Sequence, residues 1–211
     1  MPPHYFHVAQ GCNQVWDYSE RNAAEWAKRG IAAKVVPIGY VPELRKITPA
    51  ARPDIDVLFY GSRNSRRRQV LAQIQDCGLS ISTLFGEYGA LRDGRIARAK
   101  VALNLHFYEA KLFEIVRVSY LMANGIAVVT EESPDIPDDL RPGLAIAPYE
   151  KLAETCKALI AEPDRREELG RKAFECFSQH SESDILRKAL LVLREETRPT
   201  SLDFLGGSDA L

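Results

Sequence analysis

Between residues 54 and 162, short runs of β-branched and aromatic residues alternate with longer stretches of helical spacing. That alternation is the pattern of successive βαβ units closing on a parallel sheet. The runs lie at 56–60 (DVLFY), 81–85 (ISTLF), 101–107 (VALNLHF), 126–130 (IAVVT) and 144–147 (LAIA), and predict five strands. Val57-Leu58-Phe59 and Ala127-Val128-Val129 carry no polar alternation, as strands covered on both faces require. Helices are predicted between the strands, at 66–77, 91–99, 111–124 and 150–161. The expected fold class is α/β, a Rossmann-like parallel sheet flanked by helices.

The flanks read differently. Pro163-Asp164 breaks the pattern, and residues 165–180 (RREELGRKAFECFSQH) predict another helix despite Gly170. Ser181-Glu182-Ser183-Asp184 caps a last helix through Glu196, and the tail 198–211, with Pro199, Gly206 and Gly207, is expected to fray. Ahead of Pro53, residues 15–18 and 33–38 predict strands, and 20–28 a helix with Trp26 on one face. One βαβ unit buries too little for a core of its own. Residues 39–53 contain Pro42, Pro49 and Pro53 and read as a linker. The expected division is a remnant βαβ unit plus linker over 1–50, a Rossmann-like domain over 51–180, and a final helix and tail over 181–211.

Composition narrows the function classes. The chain has 211 residues, with 28 Lys+Arg against 29 Asp+Glu and a net charge of −1, so no basic excess holds it to nucleic acid or an anionic membrane. With 45% hydrophobic and 27% charged residues, it is expected to bury a real core. The longest apolar stretches, such as 112–118 and 126–129, are interrupted by charges well before the roughly 20 residues of a membrane span. The opening MPPHYFHVAQ has no basic segment leading into an apolar one, so a cytoplasmic protein is expected. Cys12, Cys77, Cys156 and Cys176 are widely spaced, which predicts reduced thiols and neither a zinc site nor a disulfide scaffold.

Candidate chemistry gathers at the carboxyl ends of the predicted strands. After the first comes Gly61-Ser62-Arg63-Asn64-Ser65-Arg66-Arg67-Arg68. Asn64 or Ser65 can cap the helix, yet three arginines then occupy its first turn, where the macrodipole disfavours cations. A bound diphosphate would reconcile the two, because a helix N-terminus, a glycine and guanidinium forks all favour it. Pairing of the arginines with Asp or Glu is the other reading. Neither GxGxxG nor a Walker GK[ST] is present.

The predicted helix over 111–124 is apolar nearly all round, with Lys111, Glu114 and Arg117 on one stripe and Gly125 supplying its C-cap. Glu114 and Arg117 read either as an i,i+3 ion pair or as part of a site. His106, ending VALNLH, is either a hydrogen-bonded structural histidine or a donor to a phosphate or sugar hydroxyl. Glu131 and Glu132 after the fourth strand could accept from sugar hydroxyls or cap a turn. In Gly86-Glu87-Tyr88-Gly89 the acid could contact a ribose and Tyr88 could cover a base.

Taken together, GSRNSRRR, a strand ending NLH, FEIVR, ANG and VVTEE resemble the C-terminal, nucleotide-sugar-binding half of GT-B glycosyltransferases, especially bacterial group 1-like enzymes. VWDYSERN followed by VVPIGYVPEL is similar to the last unit of their N-terminal half and its linker, so the resemblance spans residues 12–180. The final helix is similar to the one that crosses back in that fold. The resemblance implies sugar transfer from a nucleotide diphosphate sugar, with no other cofactor, the diphosphate held by Gly61, Ser62 and the arginines that follow. Arg117 and ANG match an R-x-x-E-x-x-A-x-G pattern whose glutamate clamps ribose hydroxyls; here that position is Tyr120, and Glu114 is its nearest substitute. No Asp-x-Asp pair for a metal–diphosphate contact is present, so metal independence is expected. A GT-B enzyme needs two facing domains, and this chain holds one plus a remnant. The resemblance thus implies an unknown acceptor and a fragment, a partner chain or homodimer completing the cleft, or a domain that only binds nucleotide; the other reading is a non-catalytic binding or assembly module whose sheet docks a partner domain.

Overall fold

A computed structural model describes residues 4–107 and 112–196; Lys111 and the tail over 198–211 lie outside the described residues. Two compact units are present, one of Met1–Pro37 with Glu182–Leu211 and one of Ile38–Ser181. In chain order the elements are α1 His4–Gln10, β1 Val15–Asp17, α2 Glu20–Ala27, β2 Ala33–Val35, β3 Ile55–Tyr60, α3 Ser65–Asp76, β4 Ile81–Leu84 and α4 Gly89–Ala97. They continue with β5 Ala99–Asn104, α5 Ile115–Ala123, β6 Val128–Glu131, β7 Ala145–Ala147, α6 Leu152–Ala161, α7 Pro163–Ser178 and α8 Glu182–Glu196. Among the described residues no helix is long and apolar enough to cross a membrane.

In the first unit β1 and β2 pair in parallel, Val15 opposite Ala33. The Asp17 carboxylate organises the turn into α2. It accepts from the Ser19 N–H at 3.0 Å, from Asn22 Nδ2 at 3.0 Å and from the Trp26 indole at 3.1 Å, while Ser19 caps the helix. The Phe6 ring meets buried Trp26 edge-on at 4.9 Å. Helix α1 is absent from the sequence prediction because HYFHVAQ has no acid in its first turn to mark a start.

The second unit carries a five-stranded, all-parallel sheet in the order β4-β3-β5-β6-β7. The central strands are apolar throughout because successive side chains alternate between two covered faces. Leu58, Ala102 and Val128 pack with Leu121, Met122 and Phe177 of α5 and α7. Val57, Phe59, Val101 and Leu103 pack with Val70, Ile74, Leu152 and Leu159 of α3 and α6.

Several boundaries differ from the prediction. Strand β5 covers 99–104 rather than 101–107, since its pairing with β6 ends at Asn104 opposite Thr130. Helix α5 starts at Ile115 rather than 111; Glu114, at φ −85° and ψ 66°, is its cap, and its carbonyl receives the N–H groups of Arg117 and Val118. Residues 38–53 lie within the second unit. The Asn124 side chain fastens them, its Oδ1 accepting from the N–H groups of Lys46 and Ile47 at 2.8 Å each, and its Nδ2 donating to the Leu44 carbonyl at 2.9 Å. Gly170, unexpected inside a helix, is there for contact: a Cβ would overlap the Gly125 carbonyl oxygen, so only glycine lets α7 close onto the end of α5.

Candidate functional site

The carboxyl edge of the five-stranded sheet collects most of the predicted site residues, and the loop between β3 and α3 is its centre. Asn64 caps α3, its Oδ1 accepting from the Arg67 N–H at 2.9 Å. Its Nδ2 donates to the Phe107 carbonyl at 2.7 Å, which ties the loop to the chain leaving β5.

The arginines then part company. Arg67 turns inward and is 1% exposed. It donates to the carbonyls of Ser62 (2.8 Å), His106 (3.3 Å) and Leu105, and to Glu114 at 2.7 Å. Burial draws its pKa down from the ordinary value, while the Glu114 charge pulls the other way. Arg66 forms a two-pronged pair with the buried Glu131 carboxylate, and its guanidinium lies 4.1 Å over the Tyr149 ring. Arg68 and Arg63 are exposed, with Arg63 donating to the Thr83 hydroxyl at 2.6 Å. Arginines in a helix's first turn are therefore tolerated partly because two of them are satisfied by carboxylates and by carbonyls beyond β5.

Glu114 is shared. Its two oxygens take Arg67 and Arg117 at 2.7 Å each, and Arg117 also donates to Asn104 Oδ1 at 3.0 Å. Asn104 in turn donates to the Thr130 hydroxyl at 3.0 Å. The backbone beside this chain of contacts is Gly61, at φ 136°, where a Cβ would stand 2.9 Å from Arg117 Nη2 and 3.4 Å from Arg67 Nη1. Glycine is needed there on both counts, for its backbone conformation and for the approach of the guanidiniums. Arg63, Arg66, Arg67, Arg68 and Arg117 contribute five guanidiniums, against the paired carboxylates of Glu114 and Glu131, which leaves this network positively charged.

Two buried side-chain atoms among the described residues have no hydrogen-bond partner, the Tyr60 hydroxyl and His106 Nε2. Burial raises the Tyr60 phenol above its ordinary pKa, with the nearby Arg117 opposing the shift. The His106 ring is fixed through Nδ1, 2.6 Å from the Leu112 carbonyl, and its backbone N–H reaches Glu131 at 3.3 Å.

Glu87 and Tyr88 stand apart from this network, on the rim after edge strand β4. Tyr88 is 77% exposed, beside the equally open Phe85 and Leu91. Tyr120 donates to Asp93 at 2.9 Å and carries the Arg92 guanidinium 4.4 Å over its ring. Sequence reasoning did not single out Asn104, Tyr149 or Asp93, because Asn104 sits inside an apolar run and the other two are distant in the chain from the residues they serve. The one Asp-x-Asp in the sequence, Asp54-Ile55-Asp56, opens β3 at the opposite edge, with Asp54 paired to Arg98 and Asp56 to Lys100. Among the described residues no cluster of three or more His, Cys, Asp or Glu is arranged to hold a metal ion.

Comparison with known proteins bears on the whole arrangement. Residues 93–190 match the family described as glycosyl transferase-like. A curated relative, uncharacterized protein L138 of Acanthamoeba polyphaga mimivirus, is 31% identical over 114 residues, covering 52% of this chain and 13% of that protein. Among solved structures, sucrose-phosphate synthase from Thermosynechococcus elongatus superposes with a TM-score of 0.60 at 14% identity, over 91% of this chain and 60% of that one. Anabaena HepE in complex with UDP-glucose superposes with a TM-score of 0.64 at 14% identity, over 89% of this chain and 65% of that one. The chain thus spans about an eighth of the curated relative and under two thirds of these structures.

Proposed function

We propose that this chain, whose five-stranded parallel sheet and flanking helices are similar to part of sucrose-phosphate synthase and HepE, is the donor-binding half of an enzyme that moves a sugar from a nucleotide diphosphate sugar to an acceptor. The bound UDP-glucose of the similar HepE supports a donor of this class, as does the position of the positive network at the carboxyl edge of a parallel sheet. The observation that carries the reading is the Gly61 approach, where a left-handed glycine leaves room for Arg117 beside the loop that opens α3.

In this reading the diphosphate lies against Gly61, Ser62 and Asn64 at the N-terminus of α3, with Arg63 and Arg68 reaching it from the exposed side and Arg117 from within. Arg67 serves indirectly, through Glu114, by holding Arg117 in place. Glu131 does the same for the loop through Arg66. Glu87 and Tyr88 border the nucleoside. Glycosyl transfer builds negative charge on the departing diphosphate, and prearranged arginines stabilise it without a metal ion. The acceptor binds across a cleft whose second wall needs a further Rossmann-like domain, from another part of a longer chain, a partner chain or a second copy. The setting is cytoplasmic.

The test is a thermal-shift panel of UDP-, GDP-, ADP- and dTDP-sugars on the full chain, with and without EDTA. One nucleotide series raises the melting temperature, with or without chelator. No stabilisation by any series overturns the reading, and loss of it with EDTA overturns metal independence alone.

A further inference from the structure

The His106 ring is 1% exposed, and its Nε2 is buried without a partner. Its other nitrogen settles what Nε2 can do. Nδ1 lies 2.6 Å from the Leu112 carbonyl oxygen, and a carbonyl can only accept, so Nδ1 carries the proton of the neutral ring. Nε2 is then a lone pair that needs a donor. A buried acceptor left without a donor is rare enough to call for a partner.

We infer that Nε2 of His106 accepts a hydrogen bond from a hydroxyl of the donor's sugar. This assignment rests on the donor-binding reading above and goes beyond it, because it separates two ligand groups. Phosphate oxygens at neutral pH carry no proton to give, so they are the wrong partner for this nitrogen. Sugar hydroxyls are the right one. The placement agrees: His106 lies two residues beyond Asn104, the last residue of β5, whose side chain holds Arg117. The arginines attend to the diphosphate, and His106 reads the sugar beside it. Its Nδ1 bond to Leu112, just ahead of α5, keeps the ring from presenting an N–H there.

The experiment is imidazole nitrogen NMR on the full-length chain at neutral pH, with matched pairs of UDP and UDP-glucose and of GDP and GDP-mannose. Before addition, His106 shows the Nδ1–H tautomer. The Nε2 resonance then moves with a nucleotide sugar and stays in place with its matched nucleoside diphosphate. In parallel, His106→Phe binds that nucleotide sugar about tenfold more weakly and the bare diphosphate within about twofold of wild type. An Nε2–H tautomer in the free chain overturns the assignment. So does a nucleotide sugar that binds without moving Nε2, or an equal response to diphosphate and sugar conjugate; in these outcomes the donor-binding reading stands. Absence of binding by every pair removes both.

Discussion

Arg67 and Arg68 are consecutive residues with opposite surroundings. Arg67 is enclosed by three carbonyls and a carboxylate, whereas Arg68, one position on, faces solvent. The same division runs through the whole edge: Arg66, Glu114, Arg117 and Glu131 form an inner layer of mutually paired charge, and Arg63, Arg68, Tyr88 and Phe85 form an outer one. The inner layer fixes the shape of the Gly61 loop, and the outer layer has side chains left to meet a ligand. Positive charge in a helix's first turn thus has two separate jobs that a run of three identical letters cannot distinguish.

The widest gap between the layers is expected in stability. Arg67→Ala leaves three carbonyls without their donor and Glu114 with Arg117 alone, and a loss of about 3 kcal/mol follows. Arg68→Ala changes stability by less than about 0.5 kcal/mol. Urea unfolding of the two variants measures both, and equal losses would erase the contrast. Glu131→Ala is expected to fall between, at about 2 kcal/mol, because Arg66 is partly exposed and can turn to water.

Gly61→Ala sharpens the comparison from the backbone side. Its φ of 136° and the 2.9 Å approach of Arg117 Nη2 predict about 1–3 kcal/mol of strain, together with weakened binding of a nucleoside diphosphate in calorimetry. The outer layer shows the converse. Arg63→Ala with Arg68→Ala leaves the unfolding curve nearly unchanged and weakens nucleoside diphosphate binding about tenfold. The smallest effect concerns thiols. Burial pushes Cys156 up to about 12, while Cys12 is exposed, so iodoacetamide at pH 8 labels Cys12 in the native chain and Cys156 only after unfolding. Native labelling of Cys156 would show that the α6 side of the core opens.

The layered parallel sheet was legible from the sequence because its signal is local and repeated. Val57-Leu58-Phe59 and Ala127-Val128-Val129 have the uninterrupted apolar run of a doubly covered strand. Boundaries set by distant partners were not legible. Strand β5 stops at Asn104 because its ladder with β6 stops there, and α5 begins late because Glu114 spends its side chain on Arg67 and its carbonyl on Arg117 and Val118. The reading of 39–53 as a linker missed the Asn124 side chain, which lies some 80 residues away from the Leu44 carbonyl it binds. For the site, placement after a strand pointed to Gly61, the arginine run, His106 and Glu114. The direction in which each arginine turns depends on the carbonyls of Leu105 and His106, and no local pattern encodes that. Likewise, the Nδ1 contact that fixes the role of His106 comes from a loop carbonyl, to which any residue could contribute.

The central claim is that a nucleotide sugar binds at the carboxyl edge of the five-stranded sheet. Amide NMR of the chain titrated with UDP-glucose, and with GDP-mannose in parallel, tests it most directly. The account predicts saturable shifts concentrated in residues 61–68, 104–107 and 114–118, with the β1–β2 pair unaffected. Saturable shifts confined to other parts of the chain, or none with either ligand, would contradict it.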